Sequence, residues 1–249
     1  MRTFLTIISY PKYYGVFGGL AVLVFRIILA FRRSFSFWKL LGSGKNEGFY
    51  GGINWRKWAI LVVMKDRKSE KNEVEMEDRQ IANSQLNTSF IYGKIIDSWL
   101  RFFKAECLTI ELSPLSGHGQ WNGKAPWGLL PDLSSNPGPV AVLTRARIRF
   151  GVIRRFRQQV PPLADKLKGR PGLVYTLGLG ELPFLFQATF SIWQTAGAME
   201  AFAYKSAEHQ QVMDEARRHN WFSEALFVRF RVVNHCSSPG NNDPLTGNL

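Results

Sequence analysis

His209 is the residue in this chain whose type and spacing make it a candidate metal ligand. It lies in AYKSAEHQQVMDEARRHNW (Ala203–Trp221), where Val212, Met213 and Ala216 follow it at the third, fourth and seventh positions. Those spacings put the imidazole on the apolar stripe of a helix. A hydrogen-bonded core histidine suits the same placement. No second histidine, carboxylate pair or cysteine stands at chelating distance along the chain, which leaves a bare zinc or non-haem iron site without its ligands. A haem needs only one protein ligand, so haem is the form of metal this sequence can hold.

His118, in GHGQWNGKAPWG, is the second candidate catalytic residue. Flanking glycines and the nearby Trp121 and Trp127 suit a tight loop packed by its tryptophans with an exposed histidine, or a lid over a pocket mouth. Trp38, Phe190 and Trp193 lie on strand-like segments and either line an apolar cavity that receives a cofactor or pack a barrel. Arg145 and Arg147 alternate along another strand, where they would pair with haem propionates or sit at the surface. Gly42-Ser43-Gly44 and Gly178-Leu179-Gly180 lack the dinucleotide fingerprint and better fit a bulge or close backbone approach. No nucleophile elbow or P-loop is present.

The elements that must position these residues occur twice. In the first half, strand, helix, strand, strand, helix, strand run at Phe4–Ser9, Tyr13–Phe31, Phe35–Leu41, Lys57–Met64, Ser89–Lys104 and Cys107–Leu112. In the second they run at Val140–Ile148, Ile153–Lys168, Leu173–Leu177, Phe186–Trp193, Ser206–Arg218 and Leu226–Val233. This is the ferredoxin-like βαββαβ order, with helices on one face of an antiparallel sheet. Two such sheets must cover each other's open, Trp- and Phe-rich faces. The predicted fold class is therefore α+β, two fused ferredoxin-like repeats packed into a dimeric α+β barrel. The repeats span 1–113 and 139–235, joined by a connecting loop over 114–138 and followed by a disordered tail over 236–249. Because one chain supplies both sheets, a monomer suffices. Lys65–Gln85 reads as a charged, solvated insertion.

Composition bounds the rest. With 45% apolar and 14% aromatic residues the 249-residue chain has ample material for a core. Cys107 and Cys236, far apart, suit a reducing compartment and the cytoplasm. The formal charge of +13 attracts anionic partners. The basic run TRARIRFGVIRRFR (Thr144–Arg157) carries no nucleic-acid recognition signature, so no nucleic-acid partner is expected. Tyr13–Phe31 is almost wholly apolar, but Arg26 interrupts it before the roughly 20 residues a spanning helix needs. A buried helix or an interfacial one follows, with Arg32 and Arg33 able to hold a peripheral contact with the inner face of a membrane.

SFWKLLGSGKNEGF (Ser36–Phe49), GLGELPFLFQATFSIW (Gly178–Trp193) and EHQQVMDEARRHNWFSEALFVRFRV (Glu208–Val232) together resemble spheroidene monooxygenase and its relatives among bacterial carotenoid-modifying proteins. GHGQWNGKAPWG and PVAVLTRARIR (Pro139–Arg149) fit the wider group. The resemblance covers residues 1 to 235. It implies the dimeric α+β barrel fold and a haem-containing oxygenase that takes electrons from a reduced ferredoxin. Such an enzyme converts a terminal methylene of an acyclic carotenoid to a ketone. It also makes His209 the candidate proximal ligand, since Tyr204, Ser206 and His209 resemble the haem-ligating helix of haem-degrading members of the superfamily. The expectation is a haem-dependent monooxygenase acting on a carotenoid or similar long apolar substrate. A non-catalytic barrel that binds an apolar ligand or a partner chain is the competing one, and a membrane-surface structural protein a third.

Overall fold

The computed structural model describes residues 1–45, 52–65, 86–130, 138–156, 158, 167, 169–182, 186–205, 207–238 and 244–247; the side chains of 53, 182, 204, 205 and 207–209 lie outside that description. The first repeat comprises β1 (Thr3–Ser9), α1 (Gly15–Ala30), β2 (Phe35–Gly44), β3 (Ile53–Met64), α2 (Thr88–Tyr92), α3 (Lys94–Phe102) and β4 (Glu106–Gly119). The second comprises β5 (Val140–Ile148), β6 (Leu173–Leu182), β7 (Phe186–Trp193), α4 (Ala196–Lys205), α5 (Ala207–Arg218) and β8 (Phe222–Ser237). The strands are hydrogen-bonded in the order β1-β3-β2-β6-β7-β5-β8-β4, which closes as a barrel. Each repeat thus shows fourth strand, first, third, second, the order of the ferredoxin-like unit. The fold is the expected dimeric α+β barrel.

Several boundaries differ from expectation, each for a local reason. The helix expected over Ser89–Lys104 breaks at Gly93, whose φ of 90° no helix accommodates. A further helix, α4, precedes α5; its alanine-rich sequence AGAMEAFAYK has high helix propensity but no clean apolar stripe. The strand ending at Leu112 by its pattern continues to Gly119, so His118 stands on a strand rather than in the connecting loop. The tail expected to be disordered from residue 236 begins as ordered chain. β8 runs to Ser237, Cys107 N–H donates to Ser238 Oγ at 2.9 Å, and Leu245 is 0% exposed. The helix expected over Ile153–Lys168 and the insertion Lys65–Gln85 fall mostly outside the described residues.

Two compact units are distinguished, residues 1–40, 55–111 and 233–243 in one and 41–54, 112–232 and 244–249 in the other. In the first, β1 and β3 pair antiparallel from Thr3↔Val63 to Ser9↔Lys57. Their even-numbered residues, Phe4, Ile8, Ile60 and Val62, face α1, α2 and α3 and pack with Phe25, Leu29, Tyr92, Ile96 and Leu100. Helix α1 reaches this close because Gly18 has no side chain: a Cβ there would stand 2.5 Å from the Trp55 carbonyl oxygen. Thr6, Thr109 and the Tyr92 hydroxyl hydrogen-bond among themselves at 2.7 and 2.9 Å, so the polar atoms buried here are satisfied.

In the second unit β5 pairs with β7 from Val140↔Trp193 to Arg147↔Phe186 and with β8 from Val140↔Arg231 to Ile148↔Phe222. Alternation along these strands sorts side chains between a face covered by α4 and α5 and the opposite face.

Candidate functional site

The helix-covered face of the second unit is packed at its ends and small in its middle. At one end Met199 and Phe202 of α4 pack on Val140, Val142 and Trp193, with the Phe202 and Trp193 rings stacked at 5.6 Å. At the other, Val212 and Ala216 of α5 pack on Ile148, Trp221 and Phe222. Between them period-two alternation and the pairing register place Thr144 and Ala146 of β5, Gln187 and Thr189 of β7, Gly178 and Gly180 of β6 and Ala225 of β8 on the same face. Of these only Gln187 carries more than three side-chain heavy atoms, and Phe227, opposite Thr144 on β8, bounds them on the same face. The result is a floor of small residues beside Phe227. Gln187, only 7% exposed, has its Oε1 buried with no hydrogen-bond partner among the described residues, and the same holds for Trp221 Nε1. Buried polar atoms left so are rare and costly, and a bound water, an ion, another molecule or local strain accounts for each.

His209 belongs to α5, three and seven positions before Val212 and Ala216, the two residues that seat this helix on the sheet. Its side chain, that of Tyr204, and all of Ser206 lie outside the described residues. His118 stacks on Phe227 with ring centroids 5.5 Å apart and is itself exposed. Phe227 packs against the cluster beneath α4, so His118 flanks the β8 side of the same face. Among the described residues no three His, Cys, Asp or Glu side chains group as a metal site.

The expected propionate partners are elsewhere. Arg145 and Arg147 occupy odd positions of β5 and face away from α4 and α5. Arg145 is buried, its side chain 1% exposed, where a surface role also had been open. Nη1 donates to Glu224 Oε1, and Nη2 donates to Asn122 Oδ1 at 3.0 Å and lies 3.7 Å from Glu181 Oε1. Trp121 and Phe186 lie 5.5 and 5.3 Å from the guanidinium carbon. The terminal nitrogens are engaged by the protein itself. Arg147 is exposed, over the Phe186 ring at 5.1 Å.

Sequence reasoning missed the partners of Arg145. Asn122-Gly123 is a two-residue hairpin turn with φ of 53° and 71°, closed by Trp121 N–H to Lys124 O at 2.7 Å. An Asn-Gly pair is the signal for such a turn. Both turn amides donate to the Glu224 carboxylate, at 2.8 and 2.7 Å. Partial burial by itself raises the Glu224 carboxyl, but the Gly123 and Asn122 amides and Arg145 outweigh it and hold the group below its ordinary value.

The proposed aromatic lining is dispersed. Trp193 is part of the α4 cluster, Trp38 packs against the core of the first unit, and Phe190 lies on the face away from α4, opposite Leu143 and Leu177. In the first unit the buried thiol and phenols are held in their neutral forms. Burial pushes the Cys107 thiol up to about 12 and raises the Tyr10 and Tyr92 hydroxyls above their usual range. A crevice beneath α1, lined by Ile8, Tyr10, Ala21, Phe25, Trp58 and others, presents only an apolar wall.

No model of a known protein family matches the chain. The chain is 34% identical over 216 residues to spheroidene monooxygenase of Rhodobacter capsulatus, covering 86% of this chain and 82% of that protein. It is 33% identical over 210 residues to spheroidene monooxygenase of Cereibacter sphaeroides, covering 84% of this chain but 59% of the relative's length. Among solved structures it is similar to an aldoxime dehydratase, at a TM-score of 0.57 and 9% identity, over 93% of this chain and 80% of that one. That likeness is one of fold alone.

Proposed function

The chain belongs to the spheroidene monooxygenase family, and from that premise we propose that it is a haem-dependent monooxygenase that introduces oxygen into a carotenoid or similar long apolar substrate. The floor of the second unit carries this reading. Thr144, Ala146, Gly178, Gly180 and Thr189 leave a weakly polar surface of small residues between two large-residue clusters. A planar macrocycle is the shape such a surface accepts. His209 would hold the iron from α5, the helix that covers this face. Haem, when bound there, supplies an iron that activates oxygen with electrons from a donor such as reduced ferredoxin.

The protein's own part is to bind, orient and exclude water. Val212, Ala216 and Ile148 form a dry wall at one end, and Trp193 and Phe202 form one at the other. Gln187 Oε1, buried and with no partner among the described residues, would accept a hydrogen bond from whatever occupies the face. His118 at the β8 side could move a proton at the exposed margin. Arg145 does not fit the propionate role, since its Nη atoms are held by Glu224 and Asn122.

Expression with ample haem supply followed by absorption spectroscopy tests the reading. A Soret band is expected, lost or strongly shifted in His209→Ala. A folded protein that stays colourless after haem titration removes the enzyme reading in favour of a non-catalytic barrel. An unchanged spectrum in the variant removes His209 as ligand.

A further inference from the structure

Apart from Arg26, helix α1 is apolar on every side, yet only one side is buried. Gly15, Gly18, Ala21, Phe25 and Leu29 face the sheet. On the opposite side Val16, Leu20, Leu23, Ile27 and Phe31 recur at helical spacing, and they are exposed: Val16 by 83%, Leu23 by 64%, Ile27 by 62% and Phe31 by 82%. A helix hydrophobic all round belongs in a core or in lipid. The patch extends beyond α1. Phe17 stacks on Phe103 at 4.5 Å, just beyond the end of α3, and α3 adds Ile95 and Phe102, 66% and 77% exposed. Trp55 of β3, 56% exposed, lies against Gly19 of α1. A continuous apolar surface of this kind on one helical layer marks an interaction site.

Charge identifies the partner. The chain's first acidic residue is Glu47, so Arg2, Lys12, Arg26, Arg32, Arg33, Lys39 and Lys45 precede any negative side chain. Lys12, Arg26 and Arg33 are exposed at or beside α1, and Lys94 and Arg101 on α3. The only acid of α3, Asp97, is buried and paired with Arg101 at 2.8 Å. Apolar side chains rimmed by cations, with no exposed acid on either helix, complement the anionic headgroups and acyl chains of a bilayer surface.

We infer that α1 and α3 form an interfacial docking face by which this protein lies on an anionic lipid surface. The helix lies in the plane of the interface and does not cross it. Crossing would strip Phe25, Leu29 and Gly18 from β1 and β3 and expose Phe4, Ile8 and Ile60, and it would put Arg26 within the hydrocarbon. Docking by the exposed side leaves that packing intact, with side chains entering about 5–10 Å into the headgroup and acyl boundary. The inference rests on the first unit alone and stands whether or not the second holds haem. It also brings the chain to the phase in which a long apolar substrate dissolves.

Flotation of the full chain with phosphatidylcholine vesicles, with and without phosphatidylglycerol, tests it. Binding is expected to anionic vesicles at about 0.01 M salt, to weaken at about 1 M as the Debye length falls from about 30 to about 3 Å, and to be released by alkaline carbonate. Leu23→Glu with Ile27→Glu should lower binding at least about tenfold, given the apolar area withdrawn from lipid. Arg26→Glu with Arg33→Glu should remove the preference for anionic vesicles. Leu129→Glu, at a more exposed leucine outside the face, should change nothing; circular dichroism verifies that all three fold. Absence of binding, or equal binding by the Leu23/Ile27 variant, overturns the inference. So does resistance to carbonate, which indicates a spanning segment. Self-association in sedimentation velocity that the Leu23/Ile27 variant abolishes also overturns it, because a second copy would then occupy the face.

Discussion

The two repeats cover equivalent sheet faces with helices, but they fill the space beneath differently. Under α1 and α3 the first repeat places Phe4, Ile8, Phe25, Tyr92 and Ile96, with the hydroxyls of Thr6, Thr109 and Tyr92 bonded to one another. Under α4 and α5 the second repeat keeps large residues at the two ends and, between them, glycine, alanine and threonine, and Gln187 Oε1 and Trp221 Nε1 have no partners among the described residues. The same topology thus serves once as a closed core and once as a floor. A duplicated fold gives each half the same elements, and on the proposed reading side-chain volume decides which half receives a ligand.

The sharpest way to break that contrast is to fill the floor. Gly178→Leu should lower haem uptake at least about a hundredfold, since a side chain would occupy a buried position where close contact is needed, while far-ultraviolet circular dichroism stays native. Haem titration measures it. Next in size, Phe25→Ala in the closed core should cost about 3–5 kcal/mol in urea unfolding and leave haem uptake unchanged. Arg145→Met should cost a comparable 3–5 kcal/mol or so, because Glu224 and Glu181 lose their cation. Gln187→Leu reverses the sign: removing a buried acceptor with no partner among the described residues should stabilise the haem-free protein by about 1 kcal/mol while lowering turnover. A loss of stability there would mean that the floor is an ordinary core.

The smallest effect depends on pH. Glu224 has a lowered carboxyl pKa, so its stabilisation is complete above the unfolded value near about 4.3 and is lost as pH falls through the lower folded value. The stability advantage of the wild type over Glu224→Gln should therefore shrink in acid below about pH 4. An advantage that grows in acid would contradict the carboxylate's role.

Much of this was legible in the chain itself. Alternating apolar segments gave the strand order of both repeats, and the spacing of Val212 and Ala216 from His209 marked the side by which α5 packs. Face assignments were not legible for Arg145, Trp38 and Trp193, because period two separates two faces without telling which one the helices cover. Arg145 read as a surface cation since its acceptor, Glu224, is 79 residues away. The small-residue floor escaped notice for a related reason. Its members lie on four strands, and only the register brings Gly178 beside Thr189 and Ala146 beside Ala225. Helix α4 was missed because its alanines carry no periodic signal.

Glu224 joins the turn at Asn122-Gly123 to the last strand of the second repeat. During synthesis that turn leaves the ribosome about a hundred residues before its carboxylate does, so it must wait, half-made, for β8. Long-range closure of this kind slows folding. In refolding, burial of Trp121 should accordingly lag behind the formation of helix α5 and coincide with the docking of β8, which makes tryptophan fluorescence a clock for the final step of assembly.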